Sequence, residues 1–191
     1  MRCYTCTKLS FQTICHACQE RLFKPQPHTR KIGTLDVISF YPYSAIESLL
    51  HTKHKVEGYR IYKKLGEMTM KPFIKEFAES LESDVYILGV DEYVGSGYSH
   101  TAVLTRQLRT RSTKVMHGQL LAKNRVSYSG KDLQFRLNHP REFSYTGKKD
   151  IDVILVDDTV TTGITLQEAQ SVLLQHGVNV LFALTLADAK E

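Results

Sequence analysis

Apolar and polar positions along the chain form short apolar runs alternating with stretches of helical spacing. The clearest run is Ile151, Val153, Ile154, Leu155 and Val156, whose β-branched residues predict a strand buried on both faces of a parallel sheet. It stops at two adjacent carboxylates, Asp157 and Asp158. Beyond them Thr165-Leu166-Gln167-Glu168 has the form of a capping box, predicting a helix with Leu166, Ala169, Leu173 and His176. Gly177 is expected to stop that helix, and 178–186 reads as a final strand.

Upstream, Leu35-Asp36-Val37-Ile38-Ser39-Phe40-Tyr41 has strand composition, and Ser44-Ala45-Ile46-Glu47 looks like a second capping box, for a helix with Ile46, Leu49 and Leu50 on one side. Residues 58–81 read as helical with a break near Pro72, placing Phe73, Phe77 and Leu81 at four-residue spacing. A strand is expected over 84–90, a helix over 101–108 and a strand over 115–121. Residues 122–150 are polar and irregular, with a helical turn near Leu133. Strands alternating with helices predict an α/β domain with a mainly parallel sheet, in which ligands sit at the strands' C-terminal ends.

A length of 191 residues suits one ordinary domain plus a small module. No apolar run approaches the ~20 residues of a membrane span, so a membrane protein is not expected. The start, Met1-Arg2-Cys3-Tyr4-Thr5-Cys6, has no apolar signal-peptide core, which predicts a cytoplasmic protein with reduced cysteines. A net charge of +5 mildly favours a polyanionic partner.

All four cysteines fall in the first 18 positions, as Cys3-x-x-Cys6 and Cys15-x-x-Cys18. That spacing predicts a closed, structural Cys₄ zinc site, with redox pairs as the alternative; His16, inside the second knuckle, reads as a solvated neighbour. A segment of this size has no core of its own, so the metal would supply its folding free energy. The expected organisation is a zinc module over 1–22, a linker over 23–33 marked by Pro25, Pro27 and Gly33, and an α/β domain over 34–191.

The chemistry concentrates at the end of the first-named strand. Threonine hydroxyls, a glycine and a helix start are what a phosphate needs, and two acceptor-only carboxylates suit the neighbouring hydroxyls of a sugar. Together they describe a ribose 5-phosphate. A Walker-type site would need Gly-x-x-x-x-Gly-Lys-Ser/Thr, which the chain lacks, and a response-regulator receiver would carry its acidic pair near its first strand.

Val156-Asp157-Asp158-Thr159-Val160-Thr161-Thr162-Gly163-Ile164-Thr165 resembles the phosphoribosyl pyrophosphate (PRPP) loop of type I phosphoribosyltransferases, and with the Cys₄ module ahead of it nearly the whole chain resembles the ComF family (ComFC-like) of competence proteins, implicated in DNA uptake during natural transformation. Lys53-His54-Lys55-Val56-Glu57-Gly58 is similar to that family's lysine-containing stretch ahead of a glycine. Gly97-Tyr98-Ser99-His100 stands where it has Arg-Gly-Phe-Asn-Gln, and Arg136-Leu137-Asn138 with Phe143 resembles its Arg-x-x-Asn and Phe element. The resemblance implies the Rossmann-like fold of the type I enzymes, ribose contacts from Asp157 and Asp158, and 5-phosphate contacts from Thr159, Val160, Thr161, Thr162, Gly163 and Thr165. It also implies a pyrophosphate and Mg²⁺ loop at Asp91, Glu92 and Tyr93. There the chain departs from the family, lacking its proline-bearing strand end and its arginine, so PRPP binding is expected while turnover stays open.

Basic residues interleaved with aromatics give a nucleic-acid reading: Lys53, Lys55, Tyr59, Arg60, Tyr62, Lys63 and Lys64, then Lys123, Arg125, Tyr128 and Lys131. With the ComF resemblance it implies single-stranded DNA as a partner, and other DNA-uptake proteins such as a helicase. His51, His54 and His100 read as surface or partly buried residues without a catalytic role. Two functions therefore remain: a DNA-uptake factor that binds PRPP, or a PRPP-dependent transferase with an unknown base acceptor.

Overall fold

The computed structural model describes residues 1–91, 97–124, 126 and 133–190. In chain order the elements are α1 (His16–Leu22), β1 (His28–Ile32), β2 (Leu35–Pro42), α2 (Tyr43–Leu50), α3 (Gly58–Met68), α4 (Met70–Glu79), β3 (Val85–Gly89), α5 (His100–Thr105), β4 (Thr113–Met116), β5 (Leu120–Ala122), α6 (Leu133–Asn138), β6 (Phe143–Tyr145), β7 (Asp152–Val160), α7 (Ile164–Gln175) and β8 (Asn179–Asp188); a 3-10 turn, Arg106–Leu108, extends α5. The main sheet has the order β1-β2-β8-β7-β3-β4, parallel throughout except for β1 against β2.

The apolar run behaves as its composition predicts. Val153, Ile154, Leu155 and Val156 are all fully buried, because successive side chains feed two separate cores. Ile154 and Val156 join Ile87, Leu184, Ile61 and Leu104 on the face covered by α2 to α5. Val153 and Leu155 join Leu88, Ala183, Leu166 and Leu173 on the face covered by α7. Burying each such side chain is worth roughly 1.5–3 kcal/mol, which fixes β7 as the middle of the sheet.

Several elements differ from their expected form. Residues 23–33, expected as a linker, contain the edge strand β1; Gly33, at φ +60, makes its two-residue turn into β2, where Ile32 faces Leu35. The strand expected over 115–121 is two strands in different sheets: β4 ends at Met116, the chain turns through Gly118, and β5 pairs antiparallel with β6. The helical stretch breaks at Thr69 rather than Pro72, and Pro72 lies in the first turn of α4, where a missing N–H costs nothing. Neither capping box forms. Helix α2 starts at Tyr43 after Pro42, α7 starts at Ile164 after Gly163, and neither start has a side-chain cap.

The cysteine module shares its core with the α/β domain. Cys3, Ile14, Cys18 and Phe23 are buried in one cluster with Phe40, Tyr41 and Ile46, and the Tyr41 hydroxyl donates to the Phe23 carbonyl at 2.8 Å. Among the described residues no helix is long and apolar enough to cross a membrane.

Candidate functional site

Strand β3 feeds outward to β4, whereas β7 enters on its other side, so the strand order reverses between β3 and β7. Parallel sheets open a crevice at such a switch point. The pairing with β3 ends at Gly89 opposite Val156, and the last link is the Val90 N–H on the Val156 carbonyl at 2.9 Å. β7 runs on past it to Val160, paired only with β8. Asp157 and Asp158 therefore lie within the strand, not after it, and stand on the part that overhangs the crevice.

Alternation along β7 gives the two acids different neighbours. Asp158 is buried, and its Oδ2 accepts from Lys53 Nζ at 3.2 Å and from the Tyr62 hydroxyl at 3.3 Å, with His100 Nε2 at 3.7 Å. Burial alone would raise its pKa, but the charges of His100 and Lys53 and the Lys53 hydrogen bond hold it at about 2. Asp157 Oδ1 accepts the Asp158 N–H at 2.7 Å. Burial first, and the neighbouring Asp158 charge second, push Asp157 up to about 8, against the opposing charges of Arg141 and Lys53. Asp158 in turn raises the Lys53 ammonium, while burial lowers His100. One oxygen from each acid and one His100 nitrogen lie within 4.8 Å of each other.

The loop after the acids is braced from behind. Arg30 on β1 donates to the fully buried Asp188 carboxylate at 2.6 Å and to the Thr161 carbonyl at 2.9 Å. Thr162 Oγ1 accepts from Ile164 N at 3.5 Å, and Gly163 adopts φ +86 as α7 begins. A Cβ on Gly163 would stand 2.4 Å from Ile32 Cδ1, so the edge strand presses directly on this turn. Thr159, Val160, Thr161, Thr162, Gly163 and Thr165 are thus brought together from the end of β7 to the first turn of α7, whose leading N–H groups lack intrahelical partners by construction.

Glu168 does not cap α7. Its oxygens accept the backbone N–H groups of Arg141 at 3.1 Å and Glu142 at 2.6 Å, tying the segment before β6 to the helix. Arg141 then reaches Asp91 at 2.8 Å, while the other Asp91 oxygen accepts the Ala122 N–H at 3.1 Å. Asp91 and Glu142 both have left-handed backbones, φ +54 and +51, on either side of this ion pair. Of the residues expected at pyrophosphate, Asp91 stands at the end of β3 with both oxygens engaged, and Glu92 and Tyr93 lie outside the described residues.

Sequence reasoning did not single out Tyr62, His100, Arg141 or Arg30 for this site. Tyr62 had been grouped with base-stacking aromatics, but it is fully buried beneath Asp158 and has no free face. Lys53 likewise points at Asp158 rather than along an outer basic face. Lys55, Arg60 and Lys63 are exposed, Lys64 is half-buried, and Lys123 is exposed at the end of β5; Arg125, Tyr128 and Lys131 lie outside the described residues. Only the Gly97-Tyr98-Ser99-His100 stretch carried a signal for His100.

At the N-terminus the four sulfurs cluster. Cys3 Sγ and Cys18 Sγ are 3.9 Å apart, Cys6 Sγ and Cys15 Sγ 3.7 Å, and all four lie within 4.8 Å of one another. An ion with bonds of ~2.3 Å to four tetrahedral sulfurs needs edges of about 3.8 Å, so the set fits one such ion. His16 stands apart, its side chain 81% exposed and 3.8 Å from Glu20.

No protein-family model matches the chain, and a search of curated proteins gives no match. Among solved structures the chain is similar to a hypoxanthine phosphoribosyltransferase from Staphylococcus aureus, with 17% identity and a TM-score of 0.40, covering 66% of this chain and 62% of that one. It is similar also to an adenine phosphoribosyltransferase from Saccharomyces cerevisiae, with 14% identity, a TM-score of 0.41 and coverage of 91% and 89%. An orotate phosphoribosyltransferase from Aeropyrum pernix gives 16% identity, a TM-score of 0.38 and coverage of 90% and 80%.

Proposed function

We propose that the chain binds PRPP at the overhanging end of β7, in the manner of a type I phosphoribosyltransferase. The observation that carries this reading is the position of Asp157 and Asp158 on a strand end beyond the reach of β3, shortly ahead of a helix, Ile164–Gln175, opened by a left-handed glycine. The ribose hydroxyls donate to the acidic pair, and the 5-phosphate sits on the turn from Thr161 to Thr165 against the first N–H groups of α7. Lys53, His100 and Tyr62 hold the Asp158 carboxylate ionised and oriented for that task. Arg141, through its pair with Asp91, would supply a cation at the expected pyrophosphate end. Mg²⁺ bound with PRPP would offset the charge of the pyrophosphate, with Asp157 and Asp91 as candidate carboxylates for it. Displacement at the anomeric carbon of such a ligand needs no nucleophilic side chain, only a held ribose and a stabilised leaving group.

The finer reading is a ComF-type protein acting in DNA uptake in the cytoplasm, with zinc on Cys3, Cys6, Cys15 and Cys18 and single-stranded DNA on Lys55, Arg60, Lys63, Lys64 and Lys123. It rests on the resemblance of the PRPP loop together with the four-sulfur cluster. Calorimetry with PRPP and Mg²⁺ tests the core of this reading. Asp157→Asn/Asp158→Asn should bind PRPP at least about tenfold more weakly, the loss of the ionised Asp158 alone removing a charge-assisted partner of roughly 1.5–3 kcal/mol, while inorganic phosphate binds as well as before. Equal PRPP affinity in the double variant would remove the acidic pair from the ribose. Pyrophosphate release with a nucleobase present would identify a transferase rather than a PRPP-binding uptake factor.

A further inference from the structure

A cleft of about 500 Å³ lies between α3 and α5. Tyr59 and Lys63 form one wall, Tyr98, Ser99 and Arg106 the other, and His117 closes the end beyond β4. Beside it α3 packs closely against α5 and the turn that follows, where α3 carries Gly66: a Cβ there would lie 2.8 Å from Gln107 Nε2 and 3.2 Å from Leu104. The cleft's volume falls within the roughly 300–1,000 Å³ usual for small-ligand pockets.

Its chemistry is two-part. Tyr59 and Tyr98 meet edge to face, ring centroids 6.0 Å apart at 90°, and make an aromatic corner at the mouth; Tyr59 is 42% exposed. Tyr98 is fixed there by its hydroxyl, which donates to the Lys55 carbonyl at 3.2 Å and the Thr52 carbonyl at 3.4 Å. One helical turn along α3 from Tyr59 is Lys63, and Arg106 faces the same space from the end of α5. No carboxylate lines the cleft among the described residues; Glu67 lies 3.8 Å from Lys63, a half-exposed i,i+4 pair worth little, and the Glu57 charge is felt at Tyr98. A planar π-surface beside two cations within one nucleotide's reach matches a nucleobase carrying a phosphate.

We infer that this cleft is a second ligand site, separate from the acidic pair of β7, and that it takes a nucleoside monophosphate unit with the base against Tyr59 and Tyr98 and the phosphate on Lys63 and Arg106. The unit comes either as a free mononucleotide or as a residue of a single strand. The inference does not depend on PRPP binding, since among the described residues the side-chain partners of Asp157 and Asp158 are Lys53, Tyr62 and His100, none of which lines the cleft.

The test is calorimetric titration of the full chain with each of the common nucleoside monophosphates, their nucleosides, inorganic phosphate and a short single-stranded oligonucleotide. At least one monophosphate should bind with Kd below about 1 mM and about tenfold or more tighter than its nucleoside or phosphate alone. Lys63→Gln/Arg106→Gln, both exposed positions whose melting temperature serves as the folding control, should weaken it about tenfold while leaving PRPP affinity unchanged. Tyr59→Ala should weaken the monophosphate but not inorganic phosphate. If the oligonucleotide binds tighter and loses affinity in the same variants, the source is a strand; if only the mononucleotide does, the source is the free nucleotide. Absence of monophosphate binding, binding indifferent to the double variant, or competitive displacement by PRPP would each overturn the inference.

Discussion

Lys53 Nζ and Asp158 Oδ2 lie 3.2 Å apart across 105 residues of chain, joining the loop between α2 and α3 to the middle of the sheet. The lysine is 38% exposed at its side chain and the acid 10%, so water screens only one partner. The pair, with Tyr62 and His100, is what keeps a carboxylate charged in a place where burial would otherwise neutralise it.

Lys53→Gln should therefore lower stability by about 1 kcal/mol at pH 6, discounted for the lysine's exposure. Asp158 has a folded-state pKa of about 2, below its unfolded value, so its contribution is present above the unfolded pKa and fades as pH falls towards 2. Urea denaturation of parent and variant should show a gap at pH 6 that narrows below pH 4. A gap independent of pH would mean that Lys53 acts through packing and not through the acid.

Asp157 has the opposite sign. Its folded-state pKa is raised to about 8, so the protonated form is favoured on folding, and its stabilisation is complete below the unfolded pKa and lost as pH rises through 8. Asp157→Asn should melt higher than the parent at pH 8 by on the order of 3 °C or more, with a smaller difference at pH 5. Thermal melts of the two proteins across that range check the slope.

Because Cys3, Cys18, Ile14 and Phe23 are buried in the same cluster as Tyr41 and Ile46, a metal on the four sulfurs should stabilise more than the first 22 residues. Chelation, or Cys3→Ser, should release about one zinc per chain and lower the melting temperature of the whole protein, with hydrogen exchange rising first in 1–22. An unchanged melt with the metal removed would show that the module folds and unfolds independently.

Gly163→Ala and Gly118→Ala make a controlled pair. Both glycines have left-handed backbones, at φ +86 and +65, but only Gly163 faces a neighbour, Ile32, whereas nothing lies within 4 Å of a Cβ at Gly118. Each should incur a left-handed penalty of about 1 kcal/mol, with Gly163→Ala costing further for the clash. Ile32→Ala should recover part of the second cost in Gly163→Ala and none in Gly118→Ala, as read from denaturation midpoints.

The organising strand was legible because it is buried on both faces: Val153 to Val156 have no polar side to confuse the pattern, and Asp157-Asp158 ends the apolar run abruptly. The alternation of elements, the Thr-Thr-Gly turn and the cysteine knuckles are local features, each fixed by residues within about a dozen positions of one another. Strand β1 was illegible for the converse reason. His28, Thr29, Arg30 and Lys31 lie at a sheet edge, where one side of the ladder faces solvent and no apolar alternation is required.

What the tertiary structure decided is where the side chains of distant segments end. Thr165-x-x-Glu168 has a helix-capping form, yet the glutamate binds the backbone at 141 and 142, because Gly163 already opens the helix two residues earlier and frees its carboxylate. Lys53, Tyr62 and His100 read as solvated or stacking residues along the chain, and they converge on Asp158 only because α3 and α5 pack on the face of the sheet to which that acid turns. Local pattern determined that this protein has an acidic strand end, a Thr-Thr-Gly turn ahead of a helix and a four-sulfur module. The charge state of the acidic pair was settled by burial and by Lys53 in the loop before α3, His100 at the start of α5 and Arg141 ahead of β6, neighbours that exist only once the sheet has closed around β7.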